Sequence, residues 1–516
     1  MLQKIIAELS FSLPELYLPL VLVPISLIGV FGWRFWKRKN TYKSLNSIPS
    51  PPRHWLLGNI PQVLAAVENK KYSQFLFDWS QKLGTPYILW AGDPILILSK
   101  PKVIEETIIN GTKDGSLVRS RKAQKAWNDI SGPILLGQHG TNWQWRRKAW
   151  NPGFTANALS KYLEIVDESC SQVVENIKKS KPSEAVRVDP LFVELTLKVI
   201  SCLVLGIPVD RKVSSPEGPP LEIEKVYDAT SVVSYRFLRV VTGKEKKWYK
   251  YLPLKTSRDY WSARRYLNDF LIPRVDLALQ LRDGKQGVLK QVSPCFQESM
   301  LVKIAAREPK YNRETLISET IQLLIGGTDT TAHTLSFAVG ELALNPRVFQ
   351  QAQSVVDKVW SSQGKFDLES LKELNYIRAI VKETLRTYSI ASGSTSLQAI
   401  RDTTIEGINI PRGTKVFWSM LAAGRDPETY EQPEEFRPER WLEGKGSHSL
   451  PNIEFGSGSH RCLGEHLAML EATIMLAQLL RYFNWELVNG RSSLENWQQN
   501  ILIYPSDGMP LRFQLR

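Results

Sequence analysis

Cysteine is scarce in this chain. Cys170, Cys202, Cys295 and Cys462 are the four in 516 residues, far apart and without paired spacing. That excludes a disulfide framework and fits a reducing compartment. Internal repeats and low-complexity tracts are also missing. Hydrophobic residues make up 43% and charged residues 23%, which is ordinary globular composition and excludes wholesale disorder. No zinc finger, RNA-binding signature or basic helix with heptads accompanies the formal net charge of +14. No nucleic-acid partner is therefore expected. The excess charge reads mostly as a solvated basic surface, of a kind that favours acidic membranes or an acidic protein.

Charge itself is absent from Leu16 to Trp33. At ~1.5 Å per residue this stretch is about 27 Å as a helix, just short of a hydrocarbon core of about 30 Å. Pro19 and Pro24 would kink it, which membrane helices tolerate. Arg34, Lys37, Arg38, Lys39 and Lys43 follow, and the positive-inside rule puts everything beyond them on the cytoplasmic side. A cleaved signal peptide is the rival reading. It lacks a small-x-small site, and its charge stands on the wrong flank. Residues 1–44 are thus expected to form a single-pass anchor (span about 16–33) with a basic flank. The host membrane would be the endoplasmic reticulum in a eukaryote, or an inner or thylakoid membrane in a bacterium. The proline-rich residues 45–61 are expected to form a stiff linker, and 62–516 the catalytic body.

Within the body, β signals cluster at Tyr87–Leu98, with a turn at Gly92-Asp93-Pro94. Ala158–Lys178, Leu191–Leu205, Tyr260–Leu281 and Gln350–Trp360 carry apolar residues at helical spacing. The longest such run, Arg313–Leu344, is apolar all round in its middle, the mark of a buried helix. Asn345-Pro346 ends it. The expected fold is mainly α with a small β-sheet region, as one large domain.

The strongest chemical signal is Phe455-Gly456-Ser457-Gly458-Ser459-His460-Arg461-Cys462-Leu463-Gly464. Its pattern, Phe-x-x-Gly-x-(Arg or His)-x-Cys-x-Gly, arises by chance in about one chain in ten thousand at average residue usage. Gly458 and Gly464 allow tight turns that bring amide hydrogens toward a sulfur. An apolar helix follows, so Cys462 stands at a helix N-terminus, where the dipole favours thiolate. A structural cysteine and a zinc site are the alternatives, and zinc would want more Cys or His at close spacing.

This loop resembles the haem-binding loop of the cytochromes P-450. The resemblance implies haem b held by Cys462 as the iron ligand, with Phe455, Gly456, His460 and Gly464 around it and His460 at a propionate. A thiolate ligand pushes electron density toward oxygen. Further motifs stand in the family's order. Glu383-Thr384-Leu385-Arg386, with Arg440 of Phe436-Arg437-Pro438-Glu439-Arg440-Trp441, resembles a buried carboxylate between two guanidinium groups, assigned to fold and haem retention. Gly326-Gly327-Thr328-Asp329-Thr330-Thr331 breaks local rules, placing glycines and an acid mid-way along a buried helix. It resembles the oxygen-activation motif, which implies glycines that open the helix, Thr330 in a proton network and Asp329 as relay. The plain alternative for Thr330 is a back-bond to its own helix. Trp143 and Arg147 of Trp-x-x-x-Arg resemble a propionate clasp.

Two departures stand out. Ser389 occupies a position that is often Pro, and Ser396-Leu397 replace a common propionate-binding Arg. Arg401 is close by. The implied reaction is monooxygenation of a hydrophobic small molecule by O2, with a lipid, terpenoid or carotenoid as the guessed class. Electrons would come from an acidic reductase or ferredoxin docking through Arg146 and Lys148. Two alternatives stay open: an isomerase or dehydratase of lipid hydroperoxides on the same fold, and a non-enzymatic membrane haem sensor.

Overall fold

The computed structural model describes residues 29, 32–33, 36–155, 158, 160–208, 215–285, 287–363, 366–367, 369–391, 396–442, 450–451 and 453–516. The expected membrane span lies almost wholly outside these residues. Among the described residues, no helix is long and apolar enough to cross a membrane.

The helices that position the site are α1 (Ile60–Glu68), α2 (Thr141–Trp150), α3 (Leu163–Lys178), α4 (Val188–Leu205), α5 (Ile223–Thr242), α6 (Lys255–Arg282), α7 (Arg313–Leu344), α8 (Pro346–Gln363), α9 (Asn375–Tyr388) and α10 (Glu465–Tyr482). The strands are β1 (Tyr87–Ala91), β2 (Asp93–Leu98), β3 (Leu117–Arg119), β4 (Val186–Arg187), β5 (Leu397–Ala399), β6 (Lys415–Trp418), β7 (Phe483–Leu487), β8 (Ile503–Pro505) and β9 (Pro510–Leu515). The mainly α architecture with small sheets agrees with the sequence reading.

Helix α7 runs through the centre. A reciprocal capping box starts it: Asn312 Oδ1 accepts from the Thr315 amide, and Thr315 Oγ1 accepts from the Asn312 amide. Pro346 opens the next helix, as its missing N–H allows. Ile321, Leu324, Ala332, Leu335, Phe337 and Val339 of α7 are fully buried. Helices α4, α6 and α8 each begin earlier than their apolar periodicity suggests. Their first turns carry Asp189 and Pro190, Lys255 to Arg258, or Pro346. A first turn leaves its N–H groups unbonded and so accepts polar residues and proline.

The main sheet has strand order β1-β2-β6-β5-β3. β2 and β6 are parallel, and the other pairs are antiparallel. In the β3–β5 pair, Arg119 stands opposite Leu397. A second sheet, β4-β9-β7, delivers the chain straight into α4. The Pro-rich segment 45–61 is laid along the main sheet. Leu45 is fully buried, Pro49 O accepts from the Ile88 amide at 2.9 Å, and the buried Asn59 accepts from the Trp90 amide at 2.9 Å while donating to Pro52 O at 3.3 Å.

Candidate active site

The cysteine loop is closed by its own backbone: the Cys462 amide donates to Phe455 O at 2.7 Å. Gly456 (φ 74°) and Gly458 (φ 61°) take the left-handed conformations that make this possible. Gly464 differs from expectation. Its φ of −90° is open to any residue. A Cβ there would meet nothing within 4 Å, so neither its backbone nor its surroundings require glycine, and its contribution is its N–H, which faces the Cys462 sulfur. Arg461 is fixed one helical turn ahead by a fork to Glu465 at 2.5 and 2.7 Å. His466 is exposed and takes no part.

Cys462 lies deep in the protein, yet its surface is open to a cavity of about 830 Å³. Burial pushes its thiol pKa up, against the opposing pull of the Gly464 amide and Arg147. A metal cation at the sulfur would favour the thiolate against this burial.

One wall of the cavity is cationic. Arg119, Arg147 and His460 converge there, with Trp143 packed on the His460 ring at 4.3 Å between centroids. Arg119 Nη2 lies 3.4 Å from His460 Nδ1, and Arg147 Nη1 donates to Arg461 O at 2.8 Å. Burial and then Arg119, His139 and Arg147 push His460 down to about 3. Burial and Arg147 lower Arg119 to about 10. Among the described residues, no carboxylate pairs with either side chain. Two inward-facing guanidinium groups beside a neutral imidazole fit an anionic ligand. With a thiol facing the same space, the donor set fits a planar iron porphyrin bearing two carboxylates.

Arg119 was not expected from the sequence. It stands across the sheet from Leu397, where the expected arginine is missing, so the cation arrives from the neighbouring strand. Arg401 turns outward to Asp114 and does not contribute.

The opposite wall is α7. Its helix is continuous through Gly326 and Gly327, so the glycines do not break it. A methyl group at Gly327 would fall 2.8 Å from Ile200 Cγ1, so this glycine admits α4. Gly326 faces open space. Thr330 Oγ1 is back-bonded to Gly326 O at 2.9 Å and lines the cavity beside Asp329.

Below the site, Glu383 is saturated. It accepts from Arg386 Nε and Nη2 (2.9 and 2.8 Å), Arg440 Nε (3.0 Å), the Trp441 indole (2.9 Å) and the Arg437 amide (2.9 Å). The last two were not legible from the motif. Ser389 ends α9 at φ 48°, with its N–H on Leu385 O. A proline, fixed near −65° and without N–H, cannot replace it. Arg146 also departs from expectation: it is 4% exposed and paired with Glu319 at 2.9 Å, so it presents no charge to a partner.

The cytochrome P-450 family description matches residues 48–511, most of the chain. The chain belongs to the cytochrome P-450 family. Similar proteins include putative cytochrome P-450 cyp-13B1 of Caenorhabditis elegans, 25% identical with 91% of this chain and 93% of that protein covered. Cytochrome P-450 71A1 of Persea americana is 29% identical, with 84% of each covered. Cytochrome P-450 4V2 of Rattus norvegicus is 24% identical, with 92% of this chain and 91% of that protein covered. The protein is accordingly a haem-iron oxidoreductase of the monooxygenase type, which uses O2, a substrate and a redox partner.

Proposed function

We propose that this P-450 inserts one oxygen atom into a hydrophobic small molecule of lipid, terpenoid or carotenoid type, with Cys462 as the thiolate ligand of haem b. The supporting observation is the Cys462 sulfur opening onto a cavity whose further walls are Ile325, Leu385, Ile390, Trp418, Ile501 and Leu502. Arg119, Arg147 and His460 hold the haem carboxylates, and Trp143 braces His460. Phe455 and Gly456 shape the loop beneath, and Gly326 leaves room above. Haem, when bound, supplies the redox chemistry that activates dioxygen. Asp329 and Thr330 handle protons. One oxygen atom enters a C–H or C=C bond, and the other leaves as water with two electrons and two protons.

The electrons come from a separate acidic protein. With Arg146 engaged, Lys148 and Arg378, both exposed, are the better docking cations, the second beside Lys382 and Arg461. The catalytic body sits on the cytoplasmic side of its membrane. Trp55, Trp248 and Tyr251 are 83%, 57% and 74% exposed, and Lys246, Lys247 and Lys250 accompany the last two. The Lys244–Glu68 ion pair at 3.0 Å draws this connection toward α1, which follows Trp55. An aromatic and basic surface of this kind suits an anionic membrane interface, from which an apolar substrate would enter.

The test is turnover of a lipid and terpenoid panel under isotopically labelled dioxygen, with a reductase and ferredoxin pair. Product bearing one labelled atom is expected. Conversion of a hydroperoxide without any reductant, and no labelled product, would favour the isomerase reading instead.

A further inference from the structure

Behind Asp329 lies a buried polar group that the family's motifs do not include. His333 is one helical turn further along α7 on the same face, as i,i+4 spacing requires. Its Nδ1 is 2.8 Å from Oδ1 of Asp189, the second residue of α4. Ser336 donates to that same oxygen at 2.8 Å. The Tyr504 ring of β8 packs on the imidazole at 5.9 Å, and Tyr227 of α5 faces the Asp329 carboxyl closely enough to interact with it. Oδ1 of Asp329 has no hydrogen-bond partner among the described residues.

Asp189, Tyr227, Asp329, His333 and Tyr504 all line the Cys462 cavity. The His333 side chain is 6% exposed and that of Asp189 is 13% exposed, with its neighbours Arg187 and Pro190 at the surface. Asp189, His333 and Asp329 therefore share one cavity wall beside Thr330, with the exposed Pro190 next in the chain to Asp189.

Ser336 alone would tie Asp189 to α7. The histidine adds a group that changes charge near neutral pH. Burial disfavours its imidazolium, but Asp189 and Asp329 more than offset this, and its pKa lies above the ordinary value. Burial likewise raises Asp329, against the pull of His333. The charged and titratable groups facing His333 are Asp189 from α4, Asp329 from its own helix, Tyr227 from α5 and Tyr504 from β8, with Arg187 and Asp507 further along the same wall.

We propose that the His333–Asp189 pair is the proton supply for Asp329: the imidazolium, oriented by Asp189 through Nδ1, passes its other ring proton toward the Asp329 carboxylate and is reprotonated from solvent past Asp189. Only protons move; the electrons come from the redox partner. The inference rests on the monooxygenase reading, in which Asp329 and Thr330 deliver the protons that oxygen reduction consumes.

The experiment compares the unaltered holoenzyme with His333→Gln and Asp189→Asn in two assays of one substrate. Dioxygen turnover with the electron donor needs delivered protons. Turnover with cumene hydroperoxide needs neither electrons nor those protons, because the peroxide oxygen is already reduced and leaves its alcohol behind. The relay predicts that product per electron consumed falls about tenfold or more in the first assay, with a larger solvent deuterium effect, while the second is little changed. Equal losses in both assays mark a structural pair and overturn the relay, as does unchanged coupling.

A second readout does not need turnover. With six histidines in the chain, a labelled-histidine NMR titration should show one ring titrating above the ordinary value. That ring should vanish in His333→Gln and move down in Asp189→Asn. A His333 ring indifferent to Asp189→Asn contradicts the proposal. Absence of any dioxygen-supported product from the unaltered protein would overturn the functional reading itself, and the relay with it, whatever the titration shows.

Discussion

Glu383 shows what a buried charge requires. Five donors from four residues surround one carboxylate, and Glu383, Arg386 and Arg440 are 0%, 1% and 5% exposed. Removing the acid strands two guanidinium groups in the interior. Glu383→Ala should therefore cost about 3–5 kcal/mol, read from urea unfolding of the holoenzyme. A loss under about 1 kcal/mol would place the pair among weak surface bridges instead. The two adjacent glycines of α7 should behave oppositely. Gly327→Ala drives a methyl group into Ile200 and should cost about 1–3 kcal/mol, and less than that when made in an Ile200→Ala background. Gly326→Ala meets nothing, so its folding cost should be nil or slightly favourable. Thermal melts of the three variants check the order, and equal melts for the two glycine variants would refute it. His333 adds a pH term. A histidine whose folded pKa is raised above its ordinary value of 6.5 adds stability below pH 6.5, and that stability fades as pH climbs through the raised value.

At the scale of elements, legibility followed the range of the interaction. Helix α7 was readable to its last residue because an all-round apolar run ending at Asn345-Pro346 is a local pattern. The loop from Phe455 to Gly464 was readable because its glycines and cysteine act within ten residues. Arg119 was not, because its place in the site depends on β3 pairing with β5, a contact no local pattern encodes. Trp441 was read only as part of a motif around Arg440, though its indole shares the same carboxylate. Arg146 and Lys148 looked alike as basic residues; only the packing of α2 against α7 separates the buried Arg146 from the exposed Lys148. The strand pairing carries its own prediction. Arg119→Leu removes a charge-assisted contact worth about 1.5–3 kcal/mol, so haem transfer to apomyoglobin should quicken by about tenfold or more. Adding Leu397→Arg on the facing strand should slow it again. Transfer unaffected by Arg119→Leu would remove this residue from the propionate wall.

Across the whole molecule, charge is sorted by depth. The inner cations Arg119 and Arg147 face the cavity, while outer ones such as Lys148 and Arg378 are exposed, as the proposed docking face requires. Lys148→Glu with Arg378→Glu should slow reduction by the acidic donor at low salt. The effect should shrink as the Debye length falls from about 10 Å at 0.1 M toward about 3 Å at 1 M. Stopped-flow reduction measures it, and rates equal to the unaltered protein at low salt would move the docking face elsewhere.

All of these roles presuppose one bond, that between the Cys462 sulfur and iron. The absorbance spectrum of the dithionite-reduced protein under carbon monoxide tests it, beside Cys462→His. A strongly red-shifted Soret band that disappears in the variant is the predicted result. Haem bound without that band would contradict thiolate ligation and favour a haem sensor, and a well-folded protein that takes up no haem would contradict the account entirely.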